Sequence, residues 1–289
     1  MGGWGTVKRG MPFALGVPAL IWQVLFFYLP LLFMFASSVL KMSPVRKVVG
    51  LTGDHFRFIA LSKVHFIIIA DSLLLAFFSA VLCLGLAFPM ARFIASRDRY
   101  RTVWVFFLIV PFWTNFLLHV YAWFFVLEKE GLLNNALSAL RLISEPIRFL
   151  NSPFAVLLMM VYCYLPFVVL PLLSSLERLD KNLLEASEDL GASDRQTLLK
   201  VIVPLTAPAI RTSFFLVFIP AFGEFIIPEL MGGDKLFFVG NVISHYMLHA
   251  ETEGIGTAFM SIATLALATV SAVLYRMFEG IYGRFMWSR

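Results

Sequence analysis

The sequence predicts an all-α membrane protein that crosses a lipid bilayer several times. Of its 289 residues, 60% are hydrophobic and 14% are charged, whereas soluble domains have about 45–50% apolar and about 25% charged residues. The mean hydropathy is +0.85, and the chain contains 31 phenylalanines. A water-soluble fold of this length cannot cover so much apolar surface, so we expect most of it to face lipid.

Long apolar stretches define the predicted spans. A helix needs about 20 apolar residues to cross a hydrocarbon core of about 30 Å. Six stretches reach that length, at about 13–40, 65–95, 103–127, 153–176, 204–230 and 257–283. They leave little chain for a soluble domain, so residues 1–289 are interpreted as one transmembrane domain. The first stretch is far longer than the apolar part of a secretory signal, which has about 7–15 residues, so we expect an uncleaved span.

Basic residues indicate the orientation only in part. Short loops rich in Lys and Arg usually lie in the cytoplasm. One predicted side carries Lys8, Arg9, Arg92, Arg97, Arg99, Arg101, Arg276, Arg284 and Arg289. The loop after the first span, on the other side, carries Lys41, Arg46, Lys47, Arg57 and Lys63. The charge pattern therefore favours cytoplasmic termini without deciding the question.

Several functional classes lack the residues that they require. The net charge of +5 falls in short clusters between apolar stretches, unlike the continuous basic surface of a nucleic-acid-binding protein. The chain has no GxxxxGK[ST] loop, no HExxH motif and no recognisable nucleophile with an orienting His and acid. Cys83 and Cys163 lie inside apolar stretches, and the pair His245 and His249 is interpreted as polar surface. We therefore expect no catalytic site, no cofactor and no metal in this chain.

Prolines interrupt the predicted spans. They lie at Pro89, Pro111, Pro166, Pro171, Pro208, Pro220 and Pro228. A proline inside a helix frees a carbonyl and bends the helix, and in lipid such a break persists only beside other helices or a wet cavity. The pattern therefore favours helices that surround a pathway, although simple packing kinks would give the same sequence.

The polar segment 177–203, between the fourth and fifth spans, predicts two short helices joined by a sharp turn. From Leu179 it reads LDKNLLEASEDLGASDRQTLLKVIVPLTAPAI. Gly191 supplies the left-handed conformation that ends the first helix, and Ser193 with Gln196 forms a capping box that opens the second. The first helix has an apolar face beside acidic residues, which suits a protein groove better than an anionic lipid surface.

This loop resembles the EAA loop of permeases from binding-protein-dependent ABC importers. In that family the loop is a coupling helix that docks in a cleft of the cytoplasmic ATPase. Ser187 replaces the second alanine of the motif, a small residue for a small residue. The resemblance implies a type I ABC importer permease fold, with six transmembrane helices, N-in/C-in topology and a cytoplasmic coupling helix. The implied ATPase-coupling residues are Glu185, Ala186, Ser187, Asp189, Gly191 and Ala192.

Three longer stretches are similar to the permeases of spermidine/putrescine importers. They are Leu108–Trp123, Val161–Ser193 and Ile219–Gly233. This likeness implies a multi-pass protein of the bacterial inner membrane. It also implies three partners: a cytoplasmic ABC ATPase dimer that binds ATP and Mg²⁺, a second homologous permease subunit, and a periplasmic polyamine-binding protein.

Acidic and aromatic residues near the spans are candidates for a substrate pathway. A charge at the bilayer centre costs about 2.5–3.5 kcal/mol on the insertion scale, and carboxylates and aromatic faces both attract the ammonium groups of a polyamine. The candidates are Asp71, Glu224, Glu229, Trp113, Tyr121 and Trp123. Glu224 could instead pair with the partner permease, and the aromatic residues could be interfacial anchors.

Two other functions remain open at this point. The same coupling loop occurs in importers of iron complexes, thiamine or phosphonates, and a channel or secondary transporter would need no ATPase. The sequence does not reveal which polyamine is preferred, whether the permease pairs with itself, which residues gate the pathway, or what Arg211 does inside the fifth span.

Overall fold

A computed structural model describes residues 11–42, 48–97, 99–233, 236–249 and 251–287. Within these residues the structure is helical, apart from a two-stranded antiparallel hairpin of β1 (Leu40–Met42) and β2 (Val48–Leu51). Five of the basic residues used for the orientation argument lie outside the described residues, namely Lys8, Arg9, Arg46, Lys47 and Arg289.

The described helices confirm the predicted all-α fold. Five are long and apolar enough to span a membrane: Gly16–Val39, Lys63–Ala95, Pro153–Glu177, Asp194–Phe222 and Glu253–Tyr282. A sixth candidate is a pair of helical segments, Arg101–Trp113 and Phe116–Ala139, bent by 93° at the break between them. These candidates follow the six predicted stretches in order.

The chain divides into two compact units, and the first comprises Met1–His65 with His245–Ile262. Its elements are α1 (Met11–Gln23), a π-helical turn (Val24–Tyr28), α2 (Leu29–Val39), the hairpin and α3 (Asp54–Leu61). His65 Nε2 lies 2.9 Å from the Tyr246 hydroxyl, and His55 Nδ1 lies 3.1 Å from the carbonyl oxygen of Ser38. The apolar window in Gly16–Val39 is not buried by the rest of the chain.

The second unit comprises Phe66–Ser244 with Ala263–Arg289. It contains most of the remaining helices, some of which continue into the first unit. They are α4 (Lys63–Ala95), α5 (Arg101–Ile109), α6 (Phe116–Leu127), α7 (Leu132–Ala139), α8 (Pro153–Glu177), α9 (Lys181–Asp189), α10 (Asp194–Thr197), α11 (Val203–Phe222), α12 (Ile226–Met231), α13 (Val239–Met247) and α14 (Glu253–Trp287).

Helix α8 lies at the centre of the second unit. The Ser79 hydroxyl of α4 donates to the Met160 sulfur at 3.5 Å, and the Ser213 hydroxyl of α11 lies 3.5 Å from the Val168 carbonyl. Small residues let neighbouring helices approach closely in a membrane. On α4 these are the fully buried alanines Ala76, Ala80, Ala87 and Ala91.

Widened helical turns accommodate two further prolines, Pro30 and Pro204. The π-helical turn Val24–Tyr28 precedes Pro30, and a second π-helical turn, Leu198–Ile202, precedes Pro204. A proline ring clashes with the carbonyl four residues earlier in a regular α-helix, and a π-helical turn relaxes that geometry. The two helices therefore continue through their prolines.

Two predicted spans are interrupted, and the fifth breaks between Pro220 and Pro228, where the sequence predicts an irregular helix. The third, predicted at 103–127, breaks after the 3₁₀ turn Val110–Trp113, and the Asn115 side chain then caps α6 by accepting from the Leu117 amide at 2.8 Å. The fifth, predicted at 204–230, ends at Phe222, and α12 begins after a short break. Pro111 and Pro220 lie in the last turns before these interruptions. A proline alone does not end a helix here, because α4, α8 and α11 continue through Pro89, Pro166, Pro171 and Pro208.

Close packing at Gly240 generates a stability prediction. A Cβ there would lie 2.7 Å from the Glu224 carbonyl oxygen and 2.8 Å from that of Gly223, whereas a Cβ at Gly85 would meet nothing within 4 Å. Gly240→Ala should destabilise the protein by about 1–3 kcal/mol, because backbone atoms must move. Thermal unfolding in detergent measures this, with Gly85→Ala as the matched control. Equal midpoints for the two variants would contradict the packing described here.

Candidate functional site

The loop after α8 has the predicted geometry. The Asp180 carboxylate caps α9 by accepting from the Asn182 amide at 3.0 Å. Gly191 adopts a φ of +75°, the left-handed conformation that ends α9. Ser193 and Gln196 form the capping box that opens α10. Both turn signals read from the sequence are therefore confirmed.

The surface of α9 is open. Its residues include none that are buried, and Leu190, directly after it, is 88% exposed. Leu183, Glu185 and Asp189 of this helix are all exposed, so its uncovered surface carries both apolar and acidic groups. Such a surface suits a complementary groove on another protein.

A continuous helical path joins this loop to the fifth span, which differs from the separate second helix that the sequence predicted. The Ser187 and Thr197 hydroxyls lie 2.9 Å apart and link α9 to α10. From Asp194 the helix continues through the π-helical turn to Phe222. A displacement of α9 therefore has a rigid route into the fifth span.

The break between α11 and α12 holds Glu224 in a defined position. One carboxylate oxygen accepts from the Tyr164 hydroxyl at 3.0 Å, and the other accepts from the Ile226 amide at 3.1 Å. Each oxygen retains further acceptor capacity. Glu224 is partly buried, so its carboxylate both orders the break and can still receive a donor.

A second group of acceptors lies along the same segment. The Asn241 amide nitrogen donates to the Glu229 carboxylate at 2.6 Å and to the Phe225 carbonyl at 3.2 Å. Its Oδ1 atom is buried and receives no hydrogen bond from the described residues, while Asn241 itself is 6% exposed. A buried acceptor without a donor is costly, and because the protein encloses this atom it is not a contact point for a ligand. The Glu229 carboxylate, in contrast, belongs to an exposed residue.

The aromatic candidates separate into two environments. Trp113 is 78% exposed, and Tyr121 is also exposed. Trp123 is partly buried, and its ring centroid lies 5.6 Å from that of Tyr162. The His119 ring lies at the same distance from Tyr162 on the α6 side. Only Trp123 therefore belongs to an aromatic cluster between α6 and α8.

Asp71 lies on an exposed face of α4, eight residues after the helix begins. Among the described residues, no hydrogen bond, ion pair or ring contact joins any two of the six pathway candidates. The structure therefore distributes them over several faces and does not assemble them into one closed cavity.

Sequence reasoning missed the residues whose importance arises from contacts between spans. Tyr164 and Asn241 position the two carboxylates, and nothing in their local sequence indicates those partners. Arg211, which the sequence left unexplained, lies 3.5 Å from Glu279 and stacks over Tyr275 at 4.4 Å. Arg211 therefore links α11 to α14 through an ion pair and a cation–π contact.

Comparisons with known proteins all point to one family of membrane transport proteins. The family described as binding-protein-dependent transport system inner membrane component matches residues 83–280. The spermidine/putrescine transport system permease protein PotB of Escherichia coli (strain K12) is 39% identical over 258 residues, covering 88% of this chain and 93% of that protein. The PotB protein of Haemophilus influenzae is 38% identical over 210 residues, covering 72% of this chain and 73% of its own length.

A solved structure shares the fold at low identity. It is the crystal structure of a bacterial alginate ABC transporter in complex with a pentasaccharide-bound periplasmic protein, with a TM-score of 0.74, 18% identity and 96% coverage of both chains. The family match covers more than half of the chain, and the helices described above are those of a multi-pass membrane protein. The chain belongs to the family of binding-protein-dependent transport system inner membrane components.

Proposed function

We propose that the chain is the permease subunit of an ATP-driven importer that moves polyamines, spermidine or putrescine, into the cytoplasm. In this proposal a partner ATPase dimer hydrolyses ATP, a second permease subunit completes the pathway, and a periplasmic binding protein delivers the substrate. Both termini and α9 lie in the cytoplasm. The observation that carries the importer mechanism is the open, acidic α9, which ends at the Gly191 turn and contacts, through Ser187 and Thr197, the helix that continues into the fifth span.

Coupling proceeds through rigid elements. When the ATPase subunits move, α9 moves with the cleft that holds it, and the hydroxyl contact between Ser187 and Thr197 transmits the displacement to α10. From there the helix leads to Phe222 without a break. The interruption at Gly223–Phe225 is then the hinge at which α12 changes its orientation relative to α11.

The chemistry of that interruption supports a cationic substrate. Glu224 and Glu229 supply carboxylate acceptors, and an ammonium group supplies three N–H donors. A carboxylate at membrane depth is stabilised by a cation. We propose that Glu224, Glu229 and Trp123 line the substrate pathway. Asp71, Trp113 and Tyr121 are proposed as further residues that face it. The PotB relatives, named for spermidine/putrescine transport, support the same substrate class.

One experiment tests the assignment as a whole. The gene that encodes the chain is deleted from the host and restored on a plasmid. Uptake of radiolabelled spermidine and putrescine is then measured, and the proteins that co-purify with the chain are identified. We expect uptake that requires both the chain and a co-purifying ATPase. Uptake that persists when the ATPase is inactivated would indicate a channel or secondary transporter, and restored transport of a different solute would refute the polyamine assignment.

The turn at Gly191 gives a prediction about coupling. A Cβ at this position would meet no atom within 4 Å, so only the φ of +75° restricts it. Gly191→Val should abolish uptake with normal membrane insertion, because a β-branched residue is strongly disfavoured in the left-handed region. Gly191→Asn is the matched control and should retain most of the uptake, because Asn tolerates that region. Equal uptake by both variants would remove the turn from the mechanism.

The charge of Glu185, in the middle of α9, gives a second prediction. Glu185→Lys should reduce the amount of ATPase that co-purifies, because a docking surface then meets its cleft with the wrong sign. Glu185→Gln, which removes the charge without reversing it, should have the smaller effect. Quantitative immunoblotting of the purified complex measures both. ATPase recovery at the parental level from Glu185→Lys would contradict docking through this face.

Glu224 gives a third prediction, about the substrate. Glu224→Gln keeps the shape of the side chain, and the Tyr164 hydroxyl can reverse to accept from the new amide. A hydrogen bond to a charged group contributes about 1.5–3 kcal/mol, so uptake per assembled complex should fall roughly tenfold or more. Tyr164→Phe keeps the charge and should cost less. If both variants instead lower the amount of assembled complex and leave uptake per complex unchanged, Glu224 is a structural residue.

A further inference from the structure

An apolar groove with arginines at one end lies where α4 is followed by α5. It has a cavity of about 340 Å³, within the range of about 300–1,000 Å³ found for small-ligand sites. The groove residues are Phe93, Arg97, Tyr100, Val103, Trp104 and Phe107. All six belong to the second unit, and most of their side chains are exposed.

The basic end of the groove is ordered by aromatic rings. The Arg97 guanidinium lies 5.2 Å from the centre of the Phe93 ring, and the Arg99 guanidinium lies 5.7 Å from that of Tyr100. In the described part of the chain, no carboxylate forms an ion pair with either arginine. Two guanidinium groups, each with several N–H donors, lie beside an apolar surface, a combination that suits a ligand with an anionic head and an apolar tail.

The start of α5 adds to this preference. Tyr100 precedes the helix and provides no side-chain cap for its first-turn amides, and the positive end of a helix dipole favours an anion. Arg101 is engaged differently, since it forms an ion pair with Glu177 at 3.3 Å. The ion pair between Arg101 and Glu177 places the basic end of the groove beside the last residue of α8, which is followed by the segment that leads into α9.

We propose that this groove binds an anionic glycerophospholipid, with the phosphate on Arg97 and Arg99 and an acyl chain along Trp104 and Phe107. The charge of the guanidinium groups selects an anionic headgroup, and the apolar groove requires a hydrocarbon chain that a soluble anion lacks. Trp104 and Tyr100 have the amphipathic character that places aromatic residues at the level of lipid headgroups. None of the groove residues is one of the six pathway candidates.

Photoactivatable lipid probes test the proposal. The purified complex is placed in phosphatidylcholine nanodiscs that contain a trace of photoactivatable phosphatidylglycerol or of the matching phosphatidylcholine probe. Labelling of the peptide that spans 93–107 is then quantified by mass spectrometry. Each basic residue near a bilayer surface favours anionic lipid by roughly fivefold, so phosphatidylglycerol should label this peptide at least about fivefold more than phosphatidylcholine.

Matched variants separate the arginines from general surface charge. Arg97→Gln combined with Arg99→Gln should bring the labelling ratio close to one. Lys129→Gln combined with Arg148→Gln removes the same number of charges from another loop and should leave the ratio unchanged. Recovery of the intact complex is measured for each variant, so that a folding defect is recognised independently of polyamine uptake.

Three outcomes would overturn the proposal. Equal labelling by the two probes in the parental protein would exclude headgroup selection. Loss of the preference on addition of inorganic phosphate would indicate a site for a soluble anion. Loss of a co-purifying permease subunit from the arginine variant, without any lipid preference in the parental protein, would indicate that another protein covers the groove.

Discussion

The structure depends on one constraint: inside a hydrocarbon core, every backbone amide and carbonyl must find a partner within the protein. The chain satisfies it in two ways. Near Pro30 and Pro204, π-helical turns keep the helices continuous. The helical segments that contain Pro111 and Pro220 end at Trp113 and Phe222, and Asn115 and Glu224 supply side-chain acceptors for the amides of the helix that follows. Breaks in the spans are therefore ordered features, each with its own polar partner.

That distinction between continuous and broken helices has mechanical consequences. The fifth span is rigid at the α9 end and interrupted at the other, so a movement that begins at α9 is carried along the helix and released at Gly223–Phe225. Arg211 lies on the rigid part and ties it to α14 through Glu279 and Tyr275. The sixth span is therefore held to the fifth, and the two are expected to move together.

The interruption also gives polar groups defined partners. Glu224 lies in the break and accepts from the Ile226 amide, while Asn241 donates to the Phe225 carbonyl beside the break and to the Glu229 carboxylate of α12. The same geometry that satisfies the backbone thus produces the chemistry that suits an ammonium group.

The sequence by itself determined the elements whose signals are local. The lengths of the apolar stretches predicted the six spans. The loop around α9 was predicted from the φ preference of glycine and from the reciprocal hydrogen bonds of Ser193 and Gln196. Tertiary structure decided what depends on contacts between distant residues: the partners of Glu224 and Arg211, the buried acceptor of Asn241, and the place where the third span breaks. A proline permits a continuous helix, a widened turn or a break. The choice between them rests on neighbours that local sequence does not specify.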